Sequence, residues 1–213
     1  MTAHPPLGRD VSIRLGPVAL PGLLAIPDRA IGLVLFAHGS GSSRLSVRNN
    51  RVAADLRSAG IGTLLFDLLT DPESASRANV FDIPLLAERL DGATDWARTE
   101  APLLPIGYFG ASTGAAAALV AAAARKDIAV VVSRGGRPDL AGGALPRVTA
   151  PTLLIVGSRD EQVLDLNRQA LSQLRCEKRL AVVPGATHLF EEPGTLDQVS
   201  ALAREWLGHH LRC

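Results

Sequence analysis

The pentapeptide Gly110-Ala111-Ser112-Thr113-Gly114 stands between two segments of opposite local preference. Before it, Pro105-Ile106-Gly107-Tyr108-Phe109 is short, apolar and aromatic, the character of a buried strand. After it, Thr113 to Arg125 is dominated by alanine, the residue that loses least entropy on entering a helix. A chain that turns from strand to helix in so few residues has few backbone routes open to it. The pattern predicts a strained backbone at Ser112, with the hydroxyl pushed out of the sheet. It also explains glycine on both sides, since a Cβ there would collide with neighbouring backbone. An ordinary glycine-rich turn, with Ser112 serving only as the helix N-cap, would leave the same residues in the same order.

The rest of the chain repeats the alternation. An antiparallel start is expected from Val11-Ile13, Val18-Leu20, a turn at Pro21-Gly22, and Leu23-Ile26. Then come a buried strand over Ile31–Ala37, a helix over Val47–Ala59 closed by Gly60, and a strand over Ile61–Phe66. Residues 69–80 read as a loop, and Asp82–Thr99 as a helix with Leu85, Leu86, Ala87, Leu90, Ala93 and Trp96 mostly on one face. Strands follow over Ile128–Ser133, Thr152–Val156 and Arg179–Val183, with helices over Val163–Leu174 and Leu196–Leu207. Strands apolar throughout, joined by amphipathic helices, imply an α/β fold with a mostly parallel sheet covered on both faces. No internal repeat or long linker divides the chain, so residues 1–213 are expected to form one domain.

Composition narrows the function classes. A net charge of +1 gives no electrostatic reason to bind nucleic acid or an anionic membrane. Cys176 and Cys213 do not make a disulfide framework. The first residues lack a basic stretch followed by an apolar one, and no apolar run is long enough to span a bilayer; a cytoplasmic location is therefore expected. The expected partner is a small-molecule substrate, and the expected state a monomer or small homo-oligomer.

In parallel sheets of this kind, ligand sites gather at the carboxyl ends of the strands. The unusual residues of this sequence follow strands: His38-Gly39-Ser40-Gly41, Asp67, Ser112, Arg134-Gly135-Gly136-Arg137, Asp160 and His188. A serine hydroxyl becomes a nucleophile near neutral pH only if a histidine takes its proton, and a carboxylate must orient that histidine. His188 is the candidate base, because His4 lies at the N-terminus and His209 and His210 belong to the final helical turn. Asp160 is the candidate orienting acid and completes the order Ser, Asp, His. Asp139 is its rival, although its setting suits an N-cap, and Asp67 suits an arginine partner. The oxyanion of a tetrahedral intermediate needs preorganised N–H donors. The backbone amides of Thr113 and Ser40 are the candidates.

These residues resemble the α/β-hydrolase superfamily, most closely its compact, lidless, dienelactone-hydrolase-like branch. The resemblance runs from about Leu33 to Leu207 and rests on His38-Gly39, Gly110-x-Ser112-x-Gly114, Gly157-x-x-Asp160 and Gly185-x-x-His188. It implies a twisted sheet, hydrolysis of an ester, lactone or thioester through an acyl-enzyme, and neither metal nor organic cofactor. Dienelactone hydrolases proper resemble this layout but carry cysteine where Ser112 stands, so the lactone is not carried over. A binding or scaffold protein, or an acyltransferase, would present the same fold.

The interval from Arg134 to Pro151 leaves no room for a cap domain, so an open, shallow pocket is expected, with residues 69–80 as a partial flap. His38, Arg134 and Arg137 are candidate substrate contacts. Arginine there suits a carboxylate or phosphate. The alternative for the arginines, Arg44 and Arg48 included, is pairing with Asp67, Asp139 or Glu161 to hold loops.

Overall fold

A computed structural model describes residues 8–212; His4 and Cys213 lie outside that range. The strands are β1 (Arg9–Leu15), β2 (Val18–Ala25), β3 (Leu33–Ala37), β4 (Gly62–Phe66), β5 (Ile106–Ala111), β6 (Ile128–Arg134), β7 (Thr152–Gly157) and β8 (Lys178–Val183). They form one sheet in the order β1-β2-β4-β3-β5-β6-β7-β8. The first two pairings are antiparallel and the remainder parallel.

The opening hairpin differs from expectation. Its turn falls at Gly16-Pro17, with Gly16 at φ 60°, and β2 runs unbroken through Pro21-Gly22. Pro21 is tolerated because it sits where the ladder to β4 ends. Its carbonyl accepts from Asp67 N at 3.1 Å, and only the return bond is lost.

Among the described residues the helices are α1 (Val47–Ser58), α2 (Asp71–Ser74), α3 (Arg77–Val80), α4 (Ile83–Glu100), α5 (Thr113–Ala124), α6 (Glu161–Gln173) and α7 (Thr195–His210). On one face Val34, Phe36, Phe109, Val132 and Ile155 pack against α1 and α7. On the other, Leu35, Tyr108 and Val131 meet α4 and α5. The alanines of α5 give it no polar face, and Ala115–Ala118 are wholly buried. Small side chains let this central helix lie close to the sheet while α4 and the 3₁₀ segment Pro138–Arg147 close over it.

Residues 69–80 are not a plain loop. α2 and α3 are single turns, the first held by a reciprocal capping box between Thr70 and Glu73. Glu73 also receives a hydrogen bond from Arg89 of α4 at 2.7 Å. The signal was in the sequence, as Thr70-x-x-Glu73 with Pro72 in the first turn.

The chain passes from β3 to β4 on one side and then to β5 on the other, so the strand order reverses at β3 and β5. Crevices open at such reversals, beyond the carboxyl ends of the strands. Among the described residues, only the 3₁₀ segment lies between β6 and β7, where a cap would be inserted. No described helix is long and apolar enough to cross a membrane.

Candidate active site

Ser112 follows β5 directly, at φ 50° and ψ −122°. An L-residue rarely occupies that region, and holding one there costs about 1–3 kcal/mol. Ser112 stands at the N-cap position of α5, yet its side chain makes no capping hydrogen bond. The simple N-cap reading therefore does not hold. The elbow leaves no room for flanking side chains. A Cβ on Gly110 would lie 2.4 Å from Ala115 Cα, and one on Gly114 would lie 2.1 Å from the Ala37 carbonyl oxygen.

The loop after β3 presses against the serine from the other side of the strand reversal; a Cβ on Gly39 would lie 2.9 Å from Ser112 Cβ. The Ser40 amide donates to Thr113 Oγ1 at 3.0 Å. That expected oxyanion donor is thus engaged by the residue next to the serine, while the Thr113 amide belongs to the first turn of α5, whose N–H groups have no intrahelical acceptor.

Asp160 holds the N-cap position of α6 and also makes no capping bond. Its carboxylate turns instead to His188, with Oδ2 at 2.6 Å from Nδ1. An Nδ1–H held by carboxylate leaves the lone pair on Nε2, the nitrogen able to take a proton. Asp139 is engaged elsewhere, accepting two hydrogen bonds from Arg137 at 2.9 and 2.7 Å. The turn after β6 lies between serine and histidine. The Ser112 carbonyl accepts from Arg137 N at 3.1 Å, and a Cβ on Gly135 would lie 3.6 Å from His188 Cε1. No hydrogen bond of the described residues joins the Ser112 hydroxyl to His188.

His38 braces the loop after β3 and also lines the cleft beside Thr113. Its Nδ1 lies 3.0 Å from the Gly39 carbonyl, and its Nε2 accepts from Leu68 N at 3.1 Å. Burial pushes its pKa down, which keeps the ring neutral and Nε2 free to accept. Arg137 is likewise committed, to Asp139. Asp67 has the arginine partner expected of it: Arg44 contributes its amide at 2.6 Å and its guanidinium. Arg134 is different. It is 8 % exposed and has no carboxylate partner among the described residues.

A cleft of about 680 Å³ opens beside Thr113, between the loop after β3 and the α2–α3 segment. Leu69, Val80 and Leu86 give it an apolar wall, with Ser42, Ser43 and Arg48 opposite. Sequence reasoning missed Phe190, which adopts φ 55° and is buried at 2 % exposure under the His188 loop. Nothing in its local sequence marks a left-handed phenylalanine.

No family model matches the chain. A solved structure of dienelactone hydrolase from Anabaena variabilis ATCC 29413 is 56 % identical, with a TM-score of 0.95, covering 98 % of this chain and 100 % of that one. The chain belongs to the dienelactone hydrolase family. Its fold is also that of a serine hydrolase without a lid from Xanthomonas campestris, at 21 % identity and a TM-score of 0.79, covering 96 % of this chain and 95 % of the other. Relatives from two strains of Mycobacterium tuberculosis, provisionally named phosphoribosyl transferase, are 59 % identical over 213 residues. The match takes in 98 % of this chain and 48 % of theirs, so the chain spans about half the length of these curated relatives.

Proposed function

We propose that this member of the dienelactone hydrolase family is a serine hydrolase that cleaves a small ester, lactone or thioester through an acyl-enzyme. The observation that carries the reading is the Asp160–His188 contact, made by an N-cap carboxylate that gives up its helix to reach the imidazole. Ser112 Oγ attacks the carbonyl carbon while its proton passes to His188 Nε2, and Asp160 stabilises the imidazolium. The oxyanion is held by the Thr113 amide and, as the Thr113 hydroxyl turns aside, by the Ser40 amide. The intermediate collapses when His188 returns the proton to the leaving alkoxide or thiolate. Water, deprotonated by the same histidine, then releases the acid. On this reading the transferase name of the mycobacterial relatives refers to the half that this chain does not span.

A fluorophosphonate probe tests the assignment. Wild type labels covalently and turns over short acyl esters, and Ser112→Ala does neither. A folded wild type that neither labels nor turns over would overturn the proposal.

A further inference from the structure

The groups around Ser112 divide by strand. The turn after β6, Asp160 after β7 and His188 after β8 all come from one side of β5. The cleft beside Thr113 is built on the other side, from the loop after β3, the segment after β4 and Leu86 of α4. Its inner end reaches the serine. Gly39 and Thr113 line it, and a Cβ on Gly39 would lie 3.6 Å from Ser112 Oγ. His188 is not among its lining residues.

On the hydrolase reading above, a tetrahedral carbon bonded to Ser112 Oγ carries three further groups. The oxyanion goes to the backbone amides, and the leaving oxygen must lie toward His188, which returns its proton. The acyl substituent is left with the opposite direction, away from β6 and into the cleft. What it meets there is apolar on one side. Leu69, Val80 and Leu86 form the wall, and Val47 and Leu45, 84 % and 70 % exposed, stand at the mouth. Large apolar side chains gathered in water around a cleft mark a surface that is covered when the protein works. No lining cation is free to receive an anion. Arg48 already reaches Glu191 at 3.2 Å, Asp67 holds Arg44, and Asp71 has no ion pair among the described residues.

We propose that this cleft is the acyl subsite and that it selects esters of uncharged, medium-length acyl chains. At about 680 Å³ it has the size of clefts that bury most of a small organic ligand. Eight carbons, each displacing about one water of about 30 Å³, occupy about a third of it and so fit against one wall. An acetyl group leaves nearly all of it wet. A chain ending in a carboxylate would lose hydration beside Asp67 and Asp71 with no cation in exchange. Full burial makes each methylene worth about fourfold in affinity, and with one wall polar about twofold is expected.

The kinetic test holds p-nitrophenol constant as the leaving group and varies the acyl chain. Wild-type kcat/KM is expected to rise about twofold for each of the six added methylenes, about fiftyfold from acetate to octanoate. A chain of octanoyl length ending in a carboxylate should fall at least about tenfold below octanoate. Val80→Trp fills the cleft and should bring the octanoate-to-acetate ratio below about fivefold. Leu45→Ser with Val47→Ser, both at exposed positions, should lower it about fourfold. Leu103→Ser removes an equally exposed apolar side chain from the loop before β5, at the opposite edge of the sheet, and should leave the ratio unchanged. A flat chain-length series in wild type, equal turnover of the carboxylate-ended ester, or a ratio untouched by Val80→Trp and by the double variant overturns the subsite. A second measurement needs no catalysis. Octanamide should raise the Tm of Ser112→Ala more than acetamide does at the same concentration, and adding Val80→Trp should remove the difference. Equal shifts with the two amides overturn the subsite. An octanamide shift retained by a protein that hydrolyses no ester of the series retires the hydrolase reading alone.

Discussion

Asp160 Oδ2 lies 2.6 Å from Nδ1 of His188, although Asp160 occupies the N-cap position of α6. An aspartate there normally accepts from the first-turn amides, a bond whose loss costs about 1 kcal/mol. Here the α6 amides go without that bond and the imidazole receives the carboxylate.

Asp160→Asn should therefore separate chemistry from stability. Asparagine caps as well as aspartate, so the melting temperature is expected to hold or rise slightly. The amide cannot enforce the Nδ1–H tautomer, and kcat for a short ester should fall by about 10³–10⁴. Steady-state kinetics beside a melting curve checks both. A variant keeping more than about a tenth of wild-type turnover would remove Asp160 from the proposed triad.

Ser112 holds a backbone conformation suited to glycine, at φ 50° and ψ −122°. Ser112→Gly relieves that strain and Ser112→Ala does not. After the entropy cost of glycine, Ser112→Gly is expected to be the more stable by about 1 kcal/mol. Urea denaturation of the two inactive variants measures the difference. Equal stability would mean that the elbow stores no strain.

Thr94 and Tyr108 share a wholly buried hydrogen bond of 2.7 Å, and the Thr94 hydroxyl also donates to the Leu90 carbonyl at 2.8 Å. The tyrosine is therefore the donor between them, and its pKa is pushed up by burial. Tyr108→Phe removes that donor and leaves Thr94 bonded to Leu90, at a cost of about 1 kcal/mol. Thr94→Val strands the tyrosine hydroxyl and should cost more, about 2–3 kcal/mol. The order of the two values, read from denaturant midpoints, is the test.

Asp127 accepts hydrogen bonds from Arg125 at 2.9 and 3.0 Å, which hold its carboxyl at about 2, below the usual 3.8. The proton binds the unfolded chain more readily than the folded one. The contribution is complete above about pH 4 and disappears as pH falls toward 2. Because the side chain is 46 % exposed, it amounts to only about 0.5–1 kcal/mol. Asp127→Asn should destabilise the protein at pH 7 and flatten its stability profile between pH 4 and 2. Denaturant titrations across that window decide it.

Much of this molecule is legible residue by residue. The elbow at Ser112 could be read because its glycines and the alanines of α5 are local requirements of one tight turn. Chain order excludes Asp67, and Asp160 is preferred to Asp139 because Asp139-Leu140-Ala141 suits the start of a short helix; the structure pairs Asp160 with His188 and Asp139 with Arg137. The hairpin was misplaced because Pro21-Gly22 and Gly16-Pro17 are both good turn dipeptides. Only pairing with β4 shows which one stays extended.

The sequence by itself determined the alternation of strands and helices, the strained serine and the set of polar residues at strand ends, because periodicity, alanine content and glycine spacing act over a few residues. It could not distribute the arginines. Arg44 and Arg137 found carboxylates and Arg134 did not, and His38 spent both ring nitrogens on backbone. Those outcomes depend on which loops the order of strands brings face to face, and on how much water is left between them. Charge pairing and burial are properties of the assembled sheet, and only the tertiary structure decided them.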